Sequence, residues 1–132
     1  MLKHTHIIQK LRTFFQSHPV PELAAIYLFG SRASGSSRPL SDVDVGLILK
    51  PGTRLSAQDI IALSLELDVE LSPLETDVKV LNDLPVHIAH NMLRQAQVIF
   101  SADEIADADF REHLVAEYFE MRPLLNEFYK SL

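Results

Sequence analysis

Apolar positions along the chain alternate between helical and strand periods. Ile7, Ile8, Leu11, Phe14 and Phe15 recur at helical spacing behind Thr5, a candidate cap, so an amphipathic helix is expected over about residues 5–17. His18-Pro19-Val20-Pro21 breaks it. AAIYLF, residues 24–29, is a continuous apolar run of strand length, ended by Gly30. Ser31 to Gly35 is expected to form a short helical turn with free leading N–H groups, and residues 36–41 a loop. A second strand is expected over Asp42–Leu49, turned by Lys50-Pro51-Gly52. Ser56-Ala57-Gln58-Asp59 resembles a capping box, and Ile60, Leu63, Leu67 and Leu71 mark one face of the helix behind it, up to Ser72-Pro73. Thr76–Leu81 alternates, with Asp77, Lys79 and Leu81 on one face and Val78 and Val80 on the other, as a third strand does. Val86, Ala89, Met92, Leu93 and Ala96 predict a third helix, and residues 98–100 a short last strand. An aromatic terminal helix follows, which Pro123 should kink or restart. The order α-β-α-β-α-β-α implies an α/β or α+β fold, one small sheet with helices packed on it.

The length of 132 residues suits a single domain spanning 1–132, and an apolar fraction of 47% suits a globular core. There is no cysteine, which removes disulfides and thiolate metal sites from consideration. The N-terminus is interrupted by Lys, His, Gln and Arg, so it lacks a signal-peptide core, and no stretch approaches the ~20 apolar residues of a membrane span. A soluble, cytoplasmic protein with no membrane partner is expected. Eighteen acidic against twelve basic residues give a net charge of −6, and the basic residues do not cluster. A long nucleic acid is therefore not the expected partner, and a basic protein surface is electrostatically favoured.

The candidate chemistry lies in Leu28 to Leu49. Side chains alternate along a strand, so Asp42 and Asp44 share one face while Val43 and Val45 take the other. Two carboxylates on one face repel unless a cation lies between them, and a hard divalent ion such as Mg²⁺ is the usual answer. The Gly30-Ser31 turn offers backbone N–H groups and a hydroxyl to a phosphate. Asp77, on a neighbouring strand, would supply a third carboxylate. Metal beside phosphate is the chemistry of phosphoryl or nucleotidyl transfer. The plain structural alternative makes Asp42 a turn residue, Asp44 part of a solvated strand face and Asp77 a polar strand start. Fixing Gly, Ser, Asp and Asp at ~6% each gives ~10⁻³ over a chain of this length, so the pattern is specific.

Gly30-Ser31, ten residues, Asp42-x-Asp44 and a later-strand Asp77 resemble the DNA polymerase β-like nucleotidyltransferase superfamily. The compact size resembles its minimal nucleotidyltransferase (MNT) branch. The tail AEYFEMRPLLNEFY is similar to the terminal helix of MNT antitoxins paired with HEPN-domain toxins. The resemblance implies a small mixed sheet of the polymerase β-like fold and transfer of AMP from ATP to a tyrosine of a HEPN ribonuclease, silencing it. It further implies two Mg²⁺ ions held by Asp42, Asp44 and Asp77, with Asp77 helping to deprotonate the acceptor. The β- and γ-phosphates would lie on Ser31 and the Gly30-Ser31 backbone. Larger members carry an added domain that grips the acceptor; here the acceptor is expected to be small or presented by a partner.

Other residues divide between functional and structural roles. Arg32 and Arg38 could clamp phosphate, meet a partner or be solvated loop arginines. Ser41, counted with the nucleotide-binding loop, either orients the carboxylate strand or starts a turn. Lys79 could contact phosphate, although pairing with Asp77 is the plainer role. His87 and His90, three apart on the third helix, read as surface histidines because no further ligand completes a metal set. The aromatic tail reads as core, some of it open to a partner. Two rival functions remain: nucleotidyl transfer to a small molecule such as an antibiotic, and a non-enzymatic antitoxin that works by binding.

Overall fold

The computed structural model describes residues 3–34 and 42–132; within the former, the side chains of Ser31 and Ser34 are not described. Four strands form one sheet in the order β3-β2-β1-β4. β1 (Leu23–Phe29) lies between β2 (Val43–Leu49) and β4 (Gln97–Ser101) and is antiparallel to both, while β3 (Thr76–Val80) runs parallel to β2. The sheet is therefore mixed, as expected.

β1 reads as unbroken apolar sequence because both of its faces are covered, and all seven residues are buried. On one face, α1 (His4–Ser17) and α3 (Ala57–Glu70) place Leu11, Phe14, Leu63 and Leu67 against Ile26, Leu28 and the β2 valines. On the other, α4 (Val86–Arg94) and α5 (Glu104–Lys130) bring Met92, Leu93, Ala106 and Phe110 to Ala25, Tyr27 and Ile48. The expected elements are present with shifts of one or two residues. The predicted capping box forms: the Asp59 N–H donates to Ser56 Oγ at 3.0 Å and the Ser56 N–H to Asp59 Oδ2 at 3.1 Å. β2 begins at Val43, leaving Asp42 just outside the strand, and Leu81 opens a 3-10 turn over Leu81–Asp83. The next residue, Asn82, continues the pairing by side chain: its Oδ1 accepts from the Leu49 N–H at 2.8 Å and its Nδ2 donates to the Leu49 carbonyl at 3.3 Å.

Four expectations need correction. Thr5 does not cap α1 but lies inside it, the N-cap being Lys3. The aromatic tail is not core, since Phe119, Phe128 and Tyr129 are exposed along α5. α5 does not restart at Pro123 but runs through it as one 27-residue helix. The stretch around Pro123 is exposed, so water can serve the carbonyl that proline leaves without an N–H. His87 and His90 are half-buried rather than surface groups: their Nδ1 atoms are buried, and His90 stacks on Tyr118 of α5 with ring centroids 3.7 Å apart. His90 thus packs against α5.

α5 is locked to the central strand by a buried polar contact between residues eighty positions apart. The Tyr27 hydroxyl donates to the Asp107 carboxylate at 2.8 Å, and Arg111 Nε pairs with the same group at 3.2 Å. Burial first, then the Asp107 hydrogen bond and charge, push the Tyr27 phenol up to about 12. Replacing Tyr27 with phenylalanine is expected to cost about 1–3 kcal/mol in denaturant unfolding, because a buried carboxylate loses a donor. The folded state holds the phenol proton to higher pH than the unfolded chain does. The Tyr27 contribution is thus complete below pH 10 and fades towards about 12. The stability gap between wild type and Tyr27→Phe should narrow over that interval.

Candidate active site

The carboxylates gather where β1 ends and β2 begins. The antiparallel register sets Phe29 opposite Asp44, so Gly30 follows directly beside that carboxylate. In the parallel ladder Asp44 pairs with Asp77, and Val43 pairs with Thr76. Asp44, Gly46 and Ile48 lie on the sheet face that α4 and α5 cover farther along. Gly46 leaves room for the Phe29 ring, whose Cε1 would stand 2.8 Å from a Cβ there.

Gly30 is required for two independent reasons. Its φ of +72° lies in the left-handed region, and a Cβ would collide with Asp44 Oδ2. The turn it makes opens α2 (Ser31–Ser34), a single helical turn in which the Ala33 N–H donates to the Gly30 carbonyl at 3.2 Å. Arg32 within this turn is 5% exposed, so it is a buried arginine and not a solvated one. Ser41 and Arg38 fall outside the described residues, as does the side chain of Ser31.

Electrostatics ties the three aspartates together. Asp44 is half-buried, and its carboxyl is held above the usual range by burial first, then by the charges of Asp77 and Asp42; Lys79 opposes the shift. Asp42 and Asp77 are exposed. Lys79 Nζ lies 3.7 Å from Asp77 Oδ2 with both side chains about half exposed, an ion pair of small energetic weight. Among the described residues, no three His, Asp or Glu side chains are arranged to enclose a metal ion. Mg²⁺ bound with substrate phosphate draws only one or two carboxylates from a protein, and a mutually repelling carboxylate group is the donor chemistry that suits it. One contact that no motif marks also bears on this site. Asp68, near the end of α3, bonds to Thr76, the residue before Asp77. Its only sequence signal is a carboxylate eight residues ahead of a strand-starting threonine.

A glycine turn abuts a strand carboxylate here, with a second carboxylate beside it in the ladder. The family model described as "Polymerase beta, Nucleotidyltransferase" matches residues 9–105, and the chain belongs to that family. The match takes in all four strands and ends at the start of α5. Among curated proteins, none matches the chain significantly. Solved structures with the same fold include a toxin–antitoxin complex with AMP-PNP (TM-score 0.73, 18% identity, 92% of this chain and 98% of that one). Another is a tri-AMPylated Shewanella oneidensis HEPN toxin in complex with MNT antitoxin (TM-score 0.71, 17% identity, 96% and 99%). A third is the toxin–antitoxin MntA-HepT (TM-score 0.69, 17% identity, 95% and 98%). At these identities the likeness is one of fold.

Proposed function

We propose that this nucleotidyltransferase is an MNT-type antitoxin that transfers AMP from ATP to a tyrosine hydroxyl of a HEPN-type toxin. The observation that carries the reading is the Asp44 carboxylate, set against Gly30 and beside Asp77 in the ladder, and held above its usual range by burial first and then by the charges of Asp77 and Asp42. Such an arrangement is costly for stability alone and useful for binding a cation with a nucleotide. The AMP-PNP complex and the tri-AMPylated toxin among the chain's structural relatives support the nucleotide and the acceptor.

In this reading Asp42, Asp44 and Asp77 would hold two Mg²⁺ ions, and Gly30, Ser31, Arg32 and Ser41 would meet the triphosphate. Mg²⁺ bound there would supply neutralisation of the phosphate charge and of the charge that develops at the α-phosphorus. Gly30 brings the backbone close to the phosphates without a side chain in the way. Asp77, exposed and beside Asp44, accepts the proton of the tyrosine hydroxyl as its oxygen bonds to the α-phosphorus. The bond to the β-phosphate oxygen breaks, and pyrophosphate carries away the electron pair. Arg32, buried next to the turn, offers a fixed positive charge to the phosphates. The acidic chain, at −6, suits a basic partner surface.

The test is intact-mass analysis of a HEPN-type partner incubated with this protein, ATP and Mg²⁺. A gain of whole AMP units on a tyrosine is expected. Neutralisation by a stable complex without any mass gain would replace this reading with a binding antitoxin. Nucleotide transfer to small hydroxylated compounds without a partner would replace it with a small-molecule enzyme.

A further inference from the structure

Among the described residues β3 is an edge strand of five residues, with only β2 beside it in the sheet, yet it carries Asp77. Strand register is decisive here, because a slip of one residue turns every side chain to the opposite face. Asp77 would then point towards the α1 and α3 core and Val78 would take its place beside Asp44. β2 anchors one side of the strand start, where the Val43 N–H donates to the Glu75 carbonyl at 2.8 Å. α3 anchors it a second time. The Thr76 N–H donates to Asp68 Oδ1 at 2.7 Å, and the Thr76 hydroxyl also lies 2.7 Å from that oxygen. The Ser64 carbonyl is a second acceptor for the hydroxyl at 3.1 Å, and Ser64 Oγ donates to the Thr76 carbonyl at 3.3 Å. The short contacts to the carboxylate are charge-assisted and are the stronger ones.

We propose that Asp68, acting through Thr76, is a positioning residue that holds Asp77 in register with Asp44. The inference rests on the reading of Asp77 as a metal ligand given above. Thr76 is the ladder partner of Val43, the residue between Asp42 and Asp44, so the clamp acts at the point where all three carboxylates are set relative to one another. Asp68 itself bonds the backbone N–H and hydroxyl of Thr76, one residue before Asp77.

The test measures Mn²⁺ affinity of the full chain with AMP-PNP, by the electron paramagnetic resonance of free Mn²⁺, alongside melting temperatures. Asp68→Ala is expected to weaken Mn²⁺ binding about 10–100-fold, the usual cost of losing a group that orients a ligand. Asp68→Asn keeps the Oδ1 acceptor and should restore affinity to within about threefold of wild type. Thr76→Val keeps the N–H bond, loses the hydroxyl and should fall between them; it carries the test if Asp68→Ala does not fold. Tyr27→Phe, destabilised at a different place, should lower the melting temperature and leave Mn²⁺ affinity unchanged. Wild-type affinity in Asp68→Ala, or in Thr76→Val if only that variant folds, would overturn the positioning role, provided Asp77→Asn binds weakly. An Asp68→Asn variant as impaired as Asp68→Ala would also overturn it, since charge and not the bond would then matter. Unchanged affinity in Asp77→Asn would instead remove the reading of Asp77 on which the inference stands.

Discussion

Asp44→Asn is expected to reduce nucleotidyl transfer severely while raising the melting temperature of the protein. The two effects share one cause. Asp44 is half-buried beside Asp77 and Asp42, and its carboxyl is held above the usual range by burial and by those two charges. The folded state therefore binds the Asp44 proton at pH values where the unfolded chain has released it. Over that window stability falls as pH rises, and above the folded-state value the full cost of the ionised group is present. Asparagine carries no charge to desolvate or repel, so the gain in melting temperature should be greatest at neutral pH and shrink on acidification. Added Mg²⁺ should raise the melting temperature of wild type, since it binds only the folded site, and should do little for the variant. Transfer should fall on the order of a thousandfold: loss of several kcal/mol of metal-centred stabilisation, at about 1.4 kcal/mol per decade, reaches that size. Residual rates by intact-mass time courses, paired with thermal melts at two pH values, check both halves. A variant that is inactive and destabilised would mean that Asp44 serves the fold, and an active one that catalysis lies elsewhere.

The candidate site was legible in the sequence to the extent that its parts are local. Gly30 follows an apolar run, the Asp42-x-Asp44 spacing follows from strand alternation, and Asp77 sits in a clean alternating segment. The Ser56 capping box needs only four consecutive residues, so it could be read directly. What could not be read depends on distant partners. Tyr27 and Asp107 meet across eighty positions, and nothing near either residue announces the other. Arg32 is buried although its loop setting suggested equally a solvated side chain, because burial there is set by how the turn folds against the strands. His90 looked like a surface residue until α5 supplied Tyr118 as a stacking partner. The continuity of α5 through Pro123 had the same origin: a proline rule that is firm in a buried helix weakens on an exposed one, where water replaces the lost donor. Family membership, set by residues 9–105, likewise says little about the exposed part of α5 beyond them, where Phe119, Leu124 and Phe128 face solvent.

Gly30→Ala is expected to reduce transfer about a hundredfold and to destabilise the protein by about 1–2 kcal/mol. The stability term comes from the backbone alone: an L-residue at a φ of +72° pays roughly that amount for the approach of Cβ to its own carbonyl. The activity term is separate and comes from the neighbour. The new methyl would occupy the space of Asp44 Oδ2, and Asp44 cannot withdraw freely, because its backbone is held in the ladder between Phe29 and Asp77. Its side chain must rotate away, which displaces the carboxylate from the position that a cation and the α-phosphate would share. A displacement near 1 Å at a reacting centre costs on the order of a hundredfold. Gly52→Ala supplies the comparison, since Gly52 has a similar φ of +76° and, among the described residues, nothing within 4 Å of a Cβ. It should show the same loss of stability in denaturant unfolding and none of the loss of transfer. If both glycine variants lost transfer equally, the effect at Gly30 would be one of general destabilisation. If Gly30→Ala kept full transfer, the close approach of the turn to Asp44 would have no part in catalysis.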